Sequence, residues 1–188
     1  LPPKKRRPVA VVDLENCNGC TRCVTDCPFR AVNMQPRTDG APFREEAVVD
    51  PSMCVSCGIC VGACPTAMPF RAASDLVPGI DLPDLSVARI RAQVHEAAEG
   101  LNGKDRIIAF GCDHGCDAAK LGINNLAFVP LRCAGMLPPS FIDYVLSKRL
   151  ADGIVMTGCR EGECHHRIGN VWTDGRLARE RDPQLRRR

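Results

Sequence analysis

The chain has 188 residues, 45% of them hydrophobic, with a formal net charge of +3; this leaves room for one compact domain or two small ones and sets it apart from disordered sequences. Its thirteen cysteines, an odd number, exclude a fully paired disulfide framework within the chain, and no apolar run reaches a membrane-spanning length. With one Trp, one Tyr and six Phe, the core has few large side chains and needs a covalent or metal staple.

The opening Leu1-Pro2-Pro3-Lys4-Lys5-Arg6-Arg7-Pro8 lacks the apolar centre of a signal peptide. Lys4 to Arg7 reads as a solvated basic tail; the alternative is the cytoplasmic flank of an anchor upstream of Leu1, set against acidic lipid headgroups or a membrane-associated partner. Arg186, Arg187 and Arg188 close the chain with a second basic run. No aromatic-interleaved basic patch or groove-reading motif points to nucleic acid. A reducing compartment is expected, the cytoplasm or its membrane face.

Two stretches then repeat one pattern. The short β-type run Val9 to Asp13 leads to Cys17-Asn-Gly-Cys20-Thr-Arg-Cys23-Val-Thr-Asp-Cys27-Pro28. Ala47 to Asp50 leads to Cys54-Val-Ser-Cys57-Gly-Ile-Cys60-Val-Gly-Ala-Cys64-Pro65. Both are C-x2-C-x2-C-x3-C-P, an internal duplication, and Pro36, Gly40 and Pro42 mark the loop between them. Three cysteines two residues apart suit one [4Fe–4S] cluster, and in two-cluster proteins the fourth, before Pro, ligates the other cluster. The expected assignment is therefore crossed: Cys17, Cys20, Cys23 and Cys64 for one cluster, Cys54, Cys57, Cys60 and Cys27 for the second. Structural zinc uses two separated pairs rather than this tandem spacing. Residues 8–75 resemble the bacterial two-[4Fe–4S] ferredoxin family, with a longer loop between the halves as the main departure. The resemblance implies an α+β ferredoxin-like domain of duplicated β-hairpin and helix halves.

From Leu76 to Pro83 the composition shifts and marks a boundary. Val87, Ile90, Val94, Ala97 and Leu101 recur at helical spacing, so one amphipathic helix is predicted over 84–99, capped by Asp84, with Gly100 near its end. Short apolar runs follow at Ile107 to Phe110, Leu126 to Leu131 and Gly153 to Thr157. A helical turn at Asp117 to Leu121, and a helix opened by a capping box at Ser140-Phe-Ile-Asp143, separate them. That alternation predicts a small α/β domain with a parallel sheet. Beyond Trp172 the chain turns polar, into a final helix and tail. The resulting division is 1–78, a linker and helix over 79–104, an α/β domain over 105–175 and a basic tail over 176–188.

The remaining cysteines are Cys112, Cys116, Cys133, Cys159 and Cys164. Cys112, Cys133 and Cys159 each follow a predicted strand, so parallel strands would gather them at one carboxyl edge, where α/β folds build sites. A metal or cluster site is one reading. Buried thiols serving as small hydrophobes are another, and a thiol–disulfide centre on Cys112 and Cys116 is a third. There is no dinucleotide fingerprint, phosphate-binding loop or nucleophile elbow.

Arg132-Cys133-Ala-Gly135-Met-Leu-Pro138 and Gly158-Cys159-Arg-Glu-Gly-Glu-Cys164-His165-His166-Arg-Ile-Gly169-Asn170 resemble the delta subunit of methyl-viologen-reducing hydrogenase over residues 105–172. The resemblance implies a [2Fe–2S] cluster held by Cys133, Cys159 and Cys164, with Cys112 as fourth ligand and Cys116 as the alternative. It also implies an electron-transfer subunit, not an enzyme, working with partner subunits that include a flavoprotein. The competing expectation is a thiol/disulfide redox enzyme fed by the ferredoxin half. Rieske-type ligation by His165 or His166 is unnecessary with enough thiolates present, so His165 is expected to support the site by hydrogen bonding and His166 to lie idle at the surface.

Overall fold

The computed structural model describes residues 7–186, and among these seven strands and five α-helices form. In the first half, β1 (Val11–Val12) precedes the first cysteine loop and α1 (Arg22–Asp26). An antiparallel hairpin of β2 (Val32–Pro36) and β3 (Glu45–Val49) links the repeats, and α2 (Ile59–Ala63) follows the second cysteine loop. Both loops use left-handed backbone on either side of their second cysteine: Gly19 and Thr21 (φ 66° and 63°) around Cys20, Ser56 and Gly58 (φ 60° and 77°) around Cys57. At Gly19 a side chain would run into the Glu45 carbonyl, which with the positive φ requires glycine. Every residue of α2 is buried, whereas α1 buries only Cys23 and Asp26.

The first body extends past the expected boundary at residue 78. β4 (Ile80–Asp81) pairs antiparallel with β1, Val11 opposite Asp81 and Val12 opposite Ile80. Asp81 then opens the next helix, its carboxylate accepting the Leu82 N–H at 2.9 Å and the Val87 N–H at 3.0 Å. α3 (Val87–Glu99) buries Val87, Ile90 and Val94, three of the periodic apolar positions. Its cap is Ser86, whose hydroxyl accepts the Arg89 N–H at 3.2 Å. Asp84, expected in that role, sits too early in the chain and pairs with Arg132 instead.

The second half is built on a parallel sheet of order β6-β5-β7: β5 (Ile107–Cys112) lies between β6 (Leu126–Leu131) and β7 (Gly153–Thr157). α4 (Ser140–Ser147) and α5 (Gly169–Leu177) complete it. The capping box expected at Ser140 does not form. Pro139 occupies the cap position, and the Ser140 hydroxyl, already inside the helix, donates to the Ala67 carbonyl at 3.5 Å.

A single buried apolar cluster runs through both halves, from Ala10 and Val61 through Ile90 to Ile108 and Phe141. A polar lock reinforces it. Arg176 is 1% exposed and donates to the Gly135 carbonyl at 2.7 Å and to the Asp26 carboxylate at 2.5 Å. Arg181 also pairs with Asp26, and its guanidinium stacks 3.4 Å from the centre of the Trp172 ring. Trp172 Nε1–H donates to the Asp26 carbonyl at 3.2 Å. The stretch read as a basic tail from residue 176 thus begins in the interior, because a buried carboxylate on α1 recruits its cations. Lys4, Lys5, Arg6, Arg187 and Arg188 lie outside the described residues; Arg7 pairs with Asp113 at 3.1 Å. No helix among the described residues is long and apolar enough to cross a membrane.

Replacing Asp26 by Ala strands the Arg176 charge in the interior and is expected to lower stability by about 3–5 kcal/mol, read from the denaturant midpoint. An unchanged midpoint would mean that the lock contributes nothing to stability. Burial raises the Asp81 carboxyl from 3.8 to about 6, so folding takes up a proton in that window and stability falls as pH rises through it. Asp81→Asn keeps an acceptor for the helix N-terminus without the buried charge. Its melting temperature at pH 8 should rise by a few degrees; a fall would mean that the negative charge at the helix end outweighs its desolvation.

Candidate metal centres

Cys27 and Cys64 end α1 and α2 in extended conformation (φ −74°, ψ 107° and φ −72°, ψ 121°), because a residue before proline is pushed out of the helical region. That break turns each away from its own loop. Cys64 lies with Cys17, Cys20 and Cys23 around one cavity walled by Met34, Ala47 and Ile80. Cys27 lies with Cys54, Cys57 and Cys60 around a second cavity walled by Phe29, Val32 and Ile59. We refer to these as the first and second sites.

Both donor sets are sulfur. Burial, reinforced by the neighbouring Cys64, Cys20 and Cys17, pushes the Cys23 thiol up to about 12. Burial likewise pushes Cys57 to about 12, and Cys60 rises well above its ordinary value. Left to themselves these thiols hold their protons; thiolates at such positions require cationic metal beside them. Soft ligands converging within apolar walls fit an iron–sulfur core, which is held by thiolates. Further groups face the sulfurs: the Ala31 N–H donates to Cys27 Sγ at 3.3 Å, and Thr66 Oγ1 lies 3.1 Å from Cys64 Sγ.

A third group of thiols forms at the carboxyl edge of the parallel sheet. Cys112 ends β5, Cys133 follows β6 and Cys159 follows β7. Cys112 Sγ lies 3.9 Å from Cys159 Sγ. A hydrogen bond from Cys133 pulls the Cys112 thiol down to about 5 and the same contact raises Cys133, so the pair holds one proton tightly. Cys164 stands beside Cys159, and burial, with the charges of its neighbours, raises the Cys159 thiol. Cys133 and Cys164 both approach Gly169, where any side chain would overlap the Cys133 sulfur. Cys116 is exposed, and it is its carbonyl that joins the structure, accepting the Thr157 hydroxyl at 3.0 Å. The third site is thus Cys112, Cys133, Cys159 and Cys164, a sulfur donor set that also fits an iron–sulfur core. Backbone N–H groups of His114 and His165 donate to Cys112 and Cys159 respectively.

The three sites adjoin in series. Cys60 and Cys23 lie near enough for the charge of one to raise the pKa of the other. Cys57, Ile59 and Cys133 form a buried cluster packed by Phe29 and Trp172. The second site is therefore in the middle.

His166 departs from its expected place at the surface. It is 6% exposed, set edge-on to Phe29, with ring centres 6.5 Å apart, and packed against His165 and His114. Burial, then the neighbouring His165, His114 and Arg7, lowers it to about 4. Sequence reasoning also passed over His114, Asp26 and Arg176. A signal for His114 was present, since three of the four histidines fall within two residues of a cysteine. Asp26 and Arg176 carried none, being 150 residues apart.

Comparison with known proteins finds a family match in each half of the chain. Residues 3–68 match the 4Fe-4S dicluster domain family, and residues 107–182 match the family described as methyl-viologen-reducing hydrogenase, delta subunit. An iron–sulfur subunit of the vhc F420-non-reducing hydrogenase of Methanococcus voltae is 33% identical over 79 residues, 37% of this chain and 53% of that protein. The chain thus spans about half the length of this curated relative. No solved structure matches.

Cys116→Ser is expected to leave the iron content of anaerobically purified protein unchanged, whereas Cys133→Ser lowers it without emptying the first two sites. Iron loss in the Cys116 variant would exchange its role with that of Cys112.

Proposed function

We propose that this chain, which joins a 4Fe-4S dicluster domain to a domain of the hydrogenase delta-subunit type, is an electron-transfer subunit. In this reading the first body is ferredoxin-like and holds two [4Fe–4S] clusters, and the sheet-edge site holds a [2Fe–2S] cluster. The ligands are Cys17, Cys20, Cys23 and Cys64 at the first site, Cys54, Cys57, Cys60 and Cys27 at the second, and Cys112, Cys133, Cys159 and Cys164 at the third. Clusters bound there would supply single-electron exchange from one site to the next.

The observation that carries the reading is contact in series. Cys23 neighbours Cys60 across the first junction, and Cys57 packs with Cys133 across the second. The chain's own residues then have three tasks. Thiolates hold the iron; Ile59, Phe29 and Trp172 exclude water between the second and third sites; and N–H donors on sulfur, with the buried Arg176 cation near Cys133, favour the reduced state. No group is placed for bond-making chemistry in this scheme. The work belongs to a larger oxidoreductase complex of hydrogenase or heterodisulfide-reductase type, or a respiratory one, in the cytoplasm or at its membrane face. A flavoprotein is among the proposed partners. The naming of the Methanococcus voltae relative as a hydrogenase iron–sulfur subunit supports membership of such a complex.

A second reading rests on the 3.9 Å separation of Cys112 and Cys159 and the low pKa of Cys112. In it these thiols form a redox disulfide, releasing two electrons and two protons when oxidised, and the first two sites feed it. Iron and sulfide analysis of anaerobically purified protein, with EPR of the dithionite-reduced sample, separates the two. About ten irons per chain, with a signal persisting where the fast-relaxing [4Fe–4S] signals have broadened away, supports the relay. About eight irons, with two thiols appearing on reduction, supports the disulfide and removes the third cluster.

A further inference from the structure

The chain has four histidines. One, His95, is engaged far from the cysteines, its Nε2 lying 2.7 Å from the Tyr144 hydroxyl. The other three, His114, His165 and His166, gather beside the third site, each with a ring nitrogen within 4.8 Å of one on the others. Their side chains are not used by the thiol site, which takes only backbone N–H groups from His114 and His165. His166 is 6% exposed and its Nδ1 is buried without a hydrogen-bond partner among the described residues. A buried ring nitrogen left unpaired is costly unless something occupies it.

We infer that His114, His165 and His166 form a second kind of metal centre, a three-imidazole site for a mononuclear divalent transition ion, separate from the thiol-held iron. The chemistry of the donors selects the ion class: imidazole suits zinc, copper, iron and nickel, whereas calcium and magnesium seek oxygen. Asp113, next in sequence to His114, is not a spare ligand, because its carboxylate is held by Arg7 at 3.1 Å and Arg132 at 3.6 Å. Three imidazoles leave further coordination positions to solvent on the exposed side.

The rings must move to bind. His114 and His165 are stacked, with centres 3.5 Å apart and planes 16° from parallel, and two parallel rings cannot both hold one ion in their planes. Both residues are exposed, so either ring can turn toward His166, which packing holds fixed against Phe29. The bound ion would clip the loop that follows Cys112 to the loop after β7, which carries Cys159 and Cys164. Its consequence is mechanical, a tie between two loops that lead from the third site.

The test uses the full, cluster-loaded chain, with zinc as the probe. Protein equilibrated with a slight excess of zinc and passed through a desalting column is assayed for zinc and iron, and its zinc-edge X-ray absorption is recorded. Wild type is expected to retain one zinc per chain with a nitrogen shell at about 2.0 Å, without the sulfur shell near 2.3 Å of thiolate ligation. His114→Ala/His165→Ala, altered only at exposed side chains, should retain less than a tenth of that zinc with iron unchanged. Equal zinc in both proteins, a sulfur shell, or no retained zinc in wild type would each overturn the site. Should the double variant lose iron, the wild-type edge spectrum decides alone. The iron count reports on the thiol sites separately, so the relay and the imidazole site stand or fall independently.

Discussion

A thiolate withdrawn from water is tolerated only beside positive charge, and this chain withdraws its cysteines in sets. Cys23, Cys57 and Cys60 are driven toward the protonated form by burial and then by the cysteines beside them, and Cys133 by its hydrogen bond with Cys112 and then by burial. Much of the architecture follows from holding such groups together. α1 and α2 are only five residues each, too short to be stable by propensity, and each is fixed by the cysteine loop before it and the Cys-Pro break after it. The left-handed positions flanking Cys20 and Cys57 serve the same end. A core with few aromatics gains in exchange a covalent scaffold of metal–sulfur bonds once iron is present.

The two halves also share an interior. At Gly62 on α2 a side chain would overlap both the Gly135 carbonyl and the Arg176 guanidinium, so the second repeat lies directly against the segment that follows Cys133. Asp26 closes the same junction through Arg176 and Arg181. Fixed packing of this kind suits electron transfer, where a change of distance between sites alters the rate steeply and a flexible linker would be a defect. Interface packing between domains is more often polar and loose.

Local signals carried the reading of the sequence a long way. The strands at Leu126–Leu131 and Gly153–Thr157 form with the bounds their apolar runs implied, and they pair parallel to β5, with a short 3-10 turn at Ala118–Leu121 in one connection and α4 in the other. Local signals also misled. Asp84 and Ser140 are both good cap residues by type, yet Ser86 and Pro139 stand at the positions that cap, because backbone geometry selects the cap and residue type only permits it. The end of the first body was read two or three residues early, since Pro78-Gly79 looks like a boundary while the pairing of Ile80 and Asp81 with β1 depends on residues some seventy positions earlier. His166 and Arg176 were misread for the same reason: each is polar by type, and what buries it comes from elsewhere in the chain.

Among the twelve cysteines grouped in the three sites, Cys20 alone is exposed. Oxygen, chelators and oxidants therefore meet the grouped thiols first at one corner, the loop of the first repeat. The crossed grouping decides how damage would spread from there. Cys64, which shares a cavity with Cys20, ends the same helix that carries Cys60 of the second cavity. Under the proposed assignment, corrosion at the exposed corner would slacken α2 and loosen the middle site from behind. The arrangement that places the sites in close succession also binds them to a common lifetime, one that the most accessible sulfur sets.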